Sequence, residues 1–340
     1  MSNQIQQKTI LFTIGRAGYP VTRCIHLAKL LASHRILFAA PVKQTVVLQT
    51  LDQKGFAPLS YARKADLKAL LEEYEPDVVI SDGCDTDIDE GKLLSSLVPV
   101  TLHFDDFGEG GKTATRVVQS LYREDREPVP SHYVTGPSGF VVPDELEPYA
   151  NSGLKQVTTL PLPHVVVTFA DDDADNLSYR TLRHLLHLQI PLAITVALHS
   201  SYHHSRDDLK LMALGRKQSR IVECDDPIQL ISESDLVICD ASFTPYYVAV
   251  IGKPCIVIAE DEKEAQQAFP RESNGFIYLG LGRKLKQSHL QNAVMETILH
   301  PKRSLRAVKK QLALKLPLNN LNMQQFLERT IQEEAREITK

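Results

Sequence analysis

Short apolar runs alternate with amphipathic stretches along most of the chain. In the first half, "KTILFTIG" (residues 8–15) reads as a strand, and "PVTRCIHLAKLLAS" follows as a helix with Ile25, Ala28, Leu31 and Ala32 on one side. "HRILFAAP" is the next strand, and "ADLKALLEEYEP" is a helix stopped by Pro76. The continuous apolar run of "DVVISDG" predicts a strand buried on both faces, and "LLSSLVPV" and "TLHFDDF" continue the alternation. Strands that alternate with helices in this way imply βαβ units and a parallel sheet.

The pattern breaks between Tyr133 and His164, where five prolines and three glycines interrupt any periodic face, as in a linker. A second series starts with "VVVTFADDDADN", the helix "LSYRTLRHLLHLQ" and the strand "PLAITVAL". It continues through the strand "RIVECDD", the helix "PIQLISES", the strand "DLVICDA", the helix "TPYYVAVIGK" and the strand "PCIVIAE", and ends in a helical tail from about Ser288. The expected boundaries are a domain at 1–140, a linker at 141–163 and a second domain at 164–340. Two α/β halves joined this way place a ligand in the cleft between them.

Composition narrows the classes. The 340 residues are 43% hydrophobic and 24% charged, with a formal net charge of −4 and no run of basic residues, which argues against a nucleic-acid partner. Apolar runs are strand-length, so no membrane span is expected, and "MSNQIQQKTI" does not read as a signal peptide. The five cysteines (24, 84, 224, 239 and 255) are scattered, without a C-x-x-C pair. Buried thiols in a reducing cytoplasm fit better than disulfides or zinc, and neither a cofactor nor a metal is implied.

Candidate chemistry begins at "TIGRAGYPVTRC" (residues 13–24), a glycine-bearing turn between a strand and a helix. Further landmarks follow in order: Asp82 ending a strand, Asp105-Asp106 after the next, and Gly136, Pro137 and Phe140 in "VTGPSGFVVP". "FADDDADN", "ASFTPYY" and "GKP" complete the series. Together these resemble the nucleotide-sugar hydrolase of pseudaminic acid biosynthesis, the related spore-coat polysaccharide protein and, more distantly, the MurG-type glycosyltransferases. The resemblance implies an α/β fold of GT-B type, two Rossmann-like domains with parallel sheets, the first on the sugar or acceptor side and the second on the nucleotide side. It also implies surface-glycan chemistry of the nonulosonic acid type. The catalytic positions it carries over are Tyr19, Asp82 and Asp105. The substrate-binding positions are Gly15, Gly18, Arg23, Asp106, Asp173, Asn176, Ser242, Thr244 and Tyr247.

This chain departs from the pattern where chemistry is concentrated. The loop histidine of the family is replaced by Tyr19, a phenol that is protonated near neutral pH and so donates more readily than it accepts. Two glycine pairs that would bring peptide N–H groups to a diphosphate read Ala170-Asp171 and Ala241-Ser242, the family's glutamate is Tyr247, and its Asn-Gln pair is Glu262-Lys263. Asp171, Asp172 and Asp173 either cap the following helix or bind a cation. Two readings therefore stand: a nucleotide-sugar hydrolase or glycosyltransferase with an altered loop, and a catalytically silent binding protein or partner of a glycan-biosynthesis enzyme.

Other features read more plainly. "GEGGKT" (residues 108–113) fails the P-loop spacing, since Asp106 stands where the first glycine belongs, and reads as a flexible loop. The histidines of "HSSYHHSRDD" lack a zinc-binding frame and read as a polar surface loop. Asp105-Asp106 serves either as an acid–base pair or as a turn cap, and Arg23 either binds ligand or pairs with Asp82 or Asp105.

Overall fold

A computed structural model of the chain describes residues 7–123, 129–155, 162–169 and 172–337. The chain divides into two compact units, Met1–Pro143 with Leu318–Lys340, and Asp144–Pro317.

The first unit contains β1 (Thr9–Ile14), α1 (Tyr19–Leu30), β2 (Arg35–Pro41), α2 (Thr45–Gln53), β3 (Leu59–Tyr61), α3 (Lys64–Tyr74), β4 (Val78–Asp82), α4 (Ile88–Leu97), β5 (Val100–Phe104), β6 (Arg116–Gln119) and β7 (Tyr133–Thr135). Its seven strands are parallel, in the order β3-β2-β1-β4-β5-β6-β7. Alternation along β1 divides the core. Ile10, Phe12 and Ile14 enter one cluster with Val21, Leu27 and Val78, while Leu11 enters another with Leu67, Leu71, Val79 and Leu94. Both faces of the strand are covered, which is why its sequence is an unbroken apolar run.

The second unit contains β8 (His164–Thr168), α5 (Leu177–Leu186), β9 (Ala193–Leu198), α6 (Arg206–Ala213), β10 (Ser219–Glu223), α7 (Ile228–Glu233), β11 (Leu236–Cys239), α8 (Thr244–Ile251), β12 (Cys255–Ala259), α9 (Glu262–Ala265), β13 (Ile277–Leu281), α10 (Gln287–Leu299) and α11 (Pro301–Ala313). Its strands are also parallel, ordered β10-β9-β8-β11-β12-β13. Each sheet reverses its winding beside its first strand, the point where doubly wound folds open a crevice at the carboxyl ends of the strands.

The last helix, α12 (Asn319–Glu337), corrects the expected boundary at 164–340. Met323, Leu327 and Ile331, four residues apart, pack into the core of the first unit with Ile10 and Phe12. The Asn319 side chain donates to the carbonyls of Pro137 (2.8 Å) and Phe140 (3.0 Å), and Asn320 both accepts from and donates to the Val142 backbone. The expected linker likewise starts as core, since Val141, Val142 and Leu146 are buried. Proline removes periodicity without removing apolar side chains that fill space. The single tail is in fact three helices, broken at Pro301 and at the turn through Lys315, whose φ is 52°. Among the described residues, no helix is long and apolar enough to cross a membrane.

Candidate functional site

In the first unit the glycine loop joins β1 to α1. Gly15 donates its N–H to the Asp82 carbonyl at 2.8 Å, and Gly18 opens the helix with φ 80° and ψ −145°, a conformation that penalises any side chain. One turn into α1, Arg23 is completely buried. Its guanidinium forks onto Asp82 at 2.7 and 2.6 Å and reaches Asp105 at 2.5 Å, with the rings of Tyr19 and Phe104 4.9 and 4.8 Å away. Burial works against the charge of Arg23, but Asp82 and Asp105 outweigh it and raise its pKa above the ordinary value. Burial pushes the Asp82 carboxyl up despite Arg23. Asp105 completes its shell with the Ser120 hydroxyl (2.8 Å) and the Leu121 N–H (2.7 Å), on a backbone held at φ 48°.

Tyr19 and Asp106 are also committed to internal contacts. The Tyr19 hydroxyl donates to the Val141 carbonyl (2.7 Å) and accepts from the Val141 N–H (2.9 Å), and its ring stacks on Phe140. This engagement disfavours a proton-accepting role for the phenol. Asp106 accepts from the N–H groups of Thr86 and Gly108 and from the Thr86 hydroxyl, and lies 2.6 Å from the His103 ring. Burial opposes its charge, yet these donors hold its carboxyl below the usual range.

The "GEGGKT" segment is a packed turn rather than a flexible loop. A Cβ on Gly110 would stand 2.3 Å from the Thr86 hydroxyl and 2.5 Å from the Asp87 carbonyl, so its glycines serve close approach. The missing P-loop spacing agrees with this.

In the second unit, Ala170 and Asp171 lie outside the described residues, and Asp172 is exposed. Asp173 is buried, with φ 47°, and its two carboxylate oxygens accept from the N–H groups of Leu177 (2.6 Å) and Ser178 (2.9 Å). It caps α5, the structural alternative for this residue. Burial pushes its carboxyl up against those donors. Asn176, at φ 52°, precedes the helix and accepts the Tyr202 hydroxyl at 2.8 Å. Ser242 and Thr244 both turn inward onto Asp240: the Ser242 N–H and hydroxyl donate at 2.7 and 2.5 Å, and the Thr244 hydroxyl at 3.0 Å. Tyr247 is half-buried on α8.

Three acidic groups on this edge escaped the sequence reading. Asp240 follows β11 and is fully buried, Glu260 follows β12, and Glu264 lies on α9. One Glu264 oxygen accepts from the N–H groups of Ala241 (3.1 Å) and Glu260 (2.8 Å). Burial and Asp240 push the Glu264 carboxyl up to about 8. Burial together with Glu264, Asp240, Asp173 and Asp172 pushes Glu260 up to about 10. The available signal was position: an acid directly after "LVIC" and another after "CIVIA", as Asp82 follows "VVIS". The histidines disperse. His199 meets Ser201 and Asp225, and His204 contacts the Asp173 carbonyl. Among the described residues, no group of three His, Cys, Asp or Glu side chains is arranged to hold a metal ion.

No family model matches the chain. An uncharacterised protein of Methanocaldococcus jannaschii is 21% identical over 231 residues, 65% of this chain and 48% of its own length, so the chain spans about half of that curated relative. MurG of Acinetobacter baumannii superposes with a TM-score of 0.68 at 15% identity, covering 96% of this chain and 99% of its own. Anabaena HepE, solved with UDP and glucose, gives 0.61 at 12% over 95% and 100%. The Neisseria meningitidis UDP-GlcNAc 2-epimerase, bound to UDP-GlcNAc, gives 0.58 at 12% over 92% and 100%. Two Rossmann-like units with parallel sheets, matched along nearly the full length of both chains, make this a GT-B fold.

Proposed function

We propose that this chain is a cytoplasmic GT-B protein of surface-glycan metabolism, of the nonulosonic acid type. In it, the groups that relatives spend on a nucleotide sugar have been turned to internal structure, leaving a binding or partner role beside a glycan-biosynthesis enzyme. The observation that carries this reading is the second unit's strand edge, where Asp173, Asp240, Glu260 and Glu264 gather carboxyl groups. A diphosphate brought there finds carboxyl groups where relatives would offer peptide N–H donors, and Ser242 and Thr244 already donate to Asp240. The first unit supports the same conclusion, because Arg23 and Tyr19 are engaged within the protein. The ancestral activity in this reading is nucleotide-sugar hydrolysis or glycosyl transfer, and similar folds solved with UDP or UDP-GlcNAc support a nucleotide-sugar ancestry.

Thermal-shift measurements with UDP, CMP, GDP and their sugars test it. A ligand at 100 times its Kd adds about 2.7 kcal/mol and moves the melting temperature by several degrees. The expected result is no shift with any of these nucleotides or their sugars at millimolar concentration, and no UDP release from UDP-sugars. A shift accompanied by turnover would establish the enzymatic reading instead. That reading has its own support in Asp105, a non-glycine residue held at φ 48° beside Arg23, because strained backbone gathers at working sites.

A further inference from the structure

Glu264 uses a single carboxyl oxygen to tie together two turns, accepting the N–H of Ala241 after β11 and of Glu260 after β12. Asp240, in the first of those turns, is completely buried and takes its donors from the Ser242 N–H and the Ser242 and Thr244 hydroxyls. Glu260, in the second, buries its Oε1 without a hydrogen-bond partner among the described residues. Among the described residues, the donors that reach these carboxyl groups are peptide N–H groups and hydroxyls, which satisfy lone pairs but bring no positive charge. Three carboxylates ionised together in this space would repel one another and lose hydration, so protons must remain in the cluster.

We propose that Asp240, Glu260 and Glu264 form a proton-holding latch on the carboxyl edge of the second sheet. Protonated, the latch fixes the turns after β11 and β12; ionised, it drives them apart. The surrounding groups are consistent with this. From the turn after β8, Asp172 and Asp173 add negative charge. From β11, the Cys239 thiol is buried and its pKa is raised, chiefly by that burial. Beside β13, Arg271 donates to the Ala265 carbonyl and lies 3.8 Å from the centre of the Tyr278 ring. The Tyr278 hydroxyl donates to the same carbonyl, Arg283 is bound to Glu262, and Lys263 is exposed on α9. Ser242 and Thr244 stand on the moving turn, so a ligand presented to this edge meets an ordered surface only while the latch is closed.

The sign follows from linkage. A glutamate in the unfolded chain releases its proton near about pH 4.3, whereas Glu264 holds its own to about 8 and Glu260 to about 10. The stabilisation is complete below the unfolded value and drains as pH climbs through the folded values. The test is the melting temperature of the full chain between about pH 6 and about pH 9, which should fall by at least about 5 °C. Glu264→Gln and Glu260→Gln should each flatten that slope and melt above the unmodified protein at the alkaline end. In parallel, carbon-13 spectra of glutamate-labelled protein should show a carboxyl resonance with a midpoint above about pH 7, a readout that survives if the variants do not fold. A flat melting profile, variants that track the unmodified chain, or the absence of any such resonance overturns the latch.

Discussion

In the first unit β4 ends on Asp82 and β5 runs into Asp105, and the Arg23 guanidinium reaches both. In the second unit the corresponding strands of the same winding, β11 and β12, run into Asp240 and Glu260. The residue at Arg23's place, counted from the start of the helix after the first strand, is Thr181, also fully buried. Two edges with the same chain path have therefore neutralised buried carboxyl groups by different chemistry, one with a fixed cation and the other with neutral donors and protons. An arginine cannot release its charge at any ordinary pH, so the first solution is insensitive to conditions. The second depends on solution pH by construction. The comparison teaches that the shared fold dictates where acids collect but not how they are held.

The largest break in that comparison comes from removing the cation. Arg23→Leu leaves Asp82 and Asp105 buried and unpaired, and should destabilise the chain by about 3–5 kcal/mol in urea denaturation. Adding Asp82→Asn and Asp105→Asn to that variant should recover part of the loss, because an amide does not need a counter-charge. The single variant should also become pH-dependent in the manner of the second unit, losing stability as pH rises. A cost under about 1 kcal/mol would mean that water reaches the pair and that Arg23 is not its counter-ion in solution. Next in size is the alkaline loss of melting temperature in the second unit, with its relief by Glu264→Gln.

Tyr19→Phe comes third. Its hydroxyl is bonded twice to the Val141 peptide, so the variant leaves a buried N–H and a buried carbonyl without their partner. A loss of about 2 kcal/mol is expected, with no change in ligand response beyond that of a less stable protein. A phenol that touched ligand would show the reverse: little change in melting temperature and a lost ligand-induced shift.

How much of this was visible in the sequence differs between the two edges. The strands that carry the sites are buried on both faces, and β1, β4, β8, β11 and β12 were all legible as apolar runs. The edge strands β3 and β7 are three residues long and half exposed, and neither shows a pattern that length and periodicity can find. Pairing of Arg23 with Asp82 was one of two open alternatives, because a cation at a helix start and an acid at a strand end are both visible. Glu260 carried only its position after "CIVIA" and Glu264 not even that, since "AEDEKEA" has the composition of a solvated acidic turn and burial leaves no trace in it. The return of α12 to the first unit was hidden for a related reason. Amphipathic spacing says that Met323, Leu327 and Ile331 must be covered, and nothing in it says by which core.

The smallest effect offers the sharpest distinction at Asp173, which stood both as a ligand contact and as a cap. Both of its oxygens are taken by the first turn of α5, from Leu177 and Ser178. Asp173→Ala should therefore cost about 1 kcal/mol, the loss of one cap, measured by denaturation at a pH below the latch transition. Asp173→Asn keeps one acceptor oxygen and should recover most of that. It should also flatten the alkaline loss of stability in the second unit, by less than Glu264→Gln does, since Asp173 is one of the charges that raise Glu260. The two variants separate the roles. Below the latch transition a cap loses stability in proportion to its lost acceptors, whereas a ligand contact leaves the apo protein unchanged and shows itself only when a ligand is added.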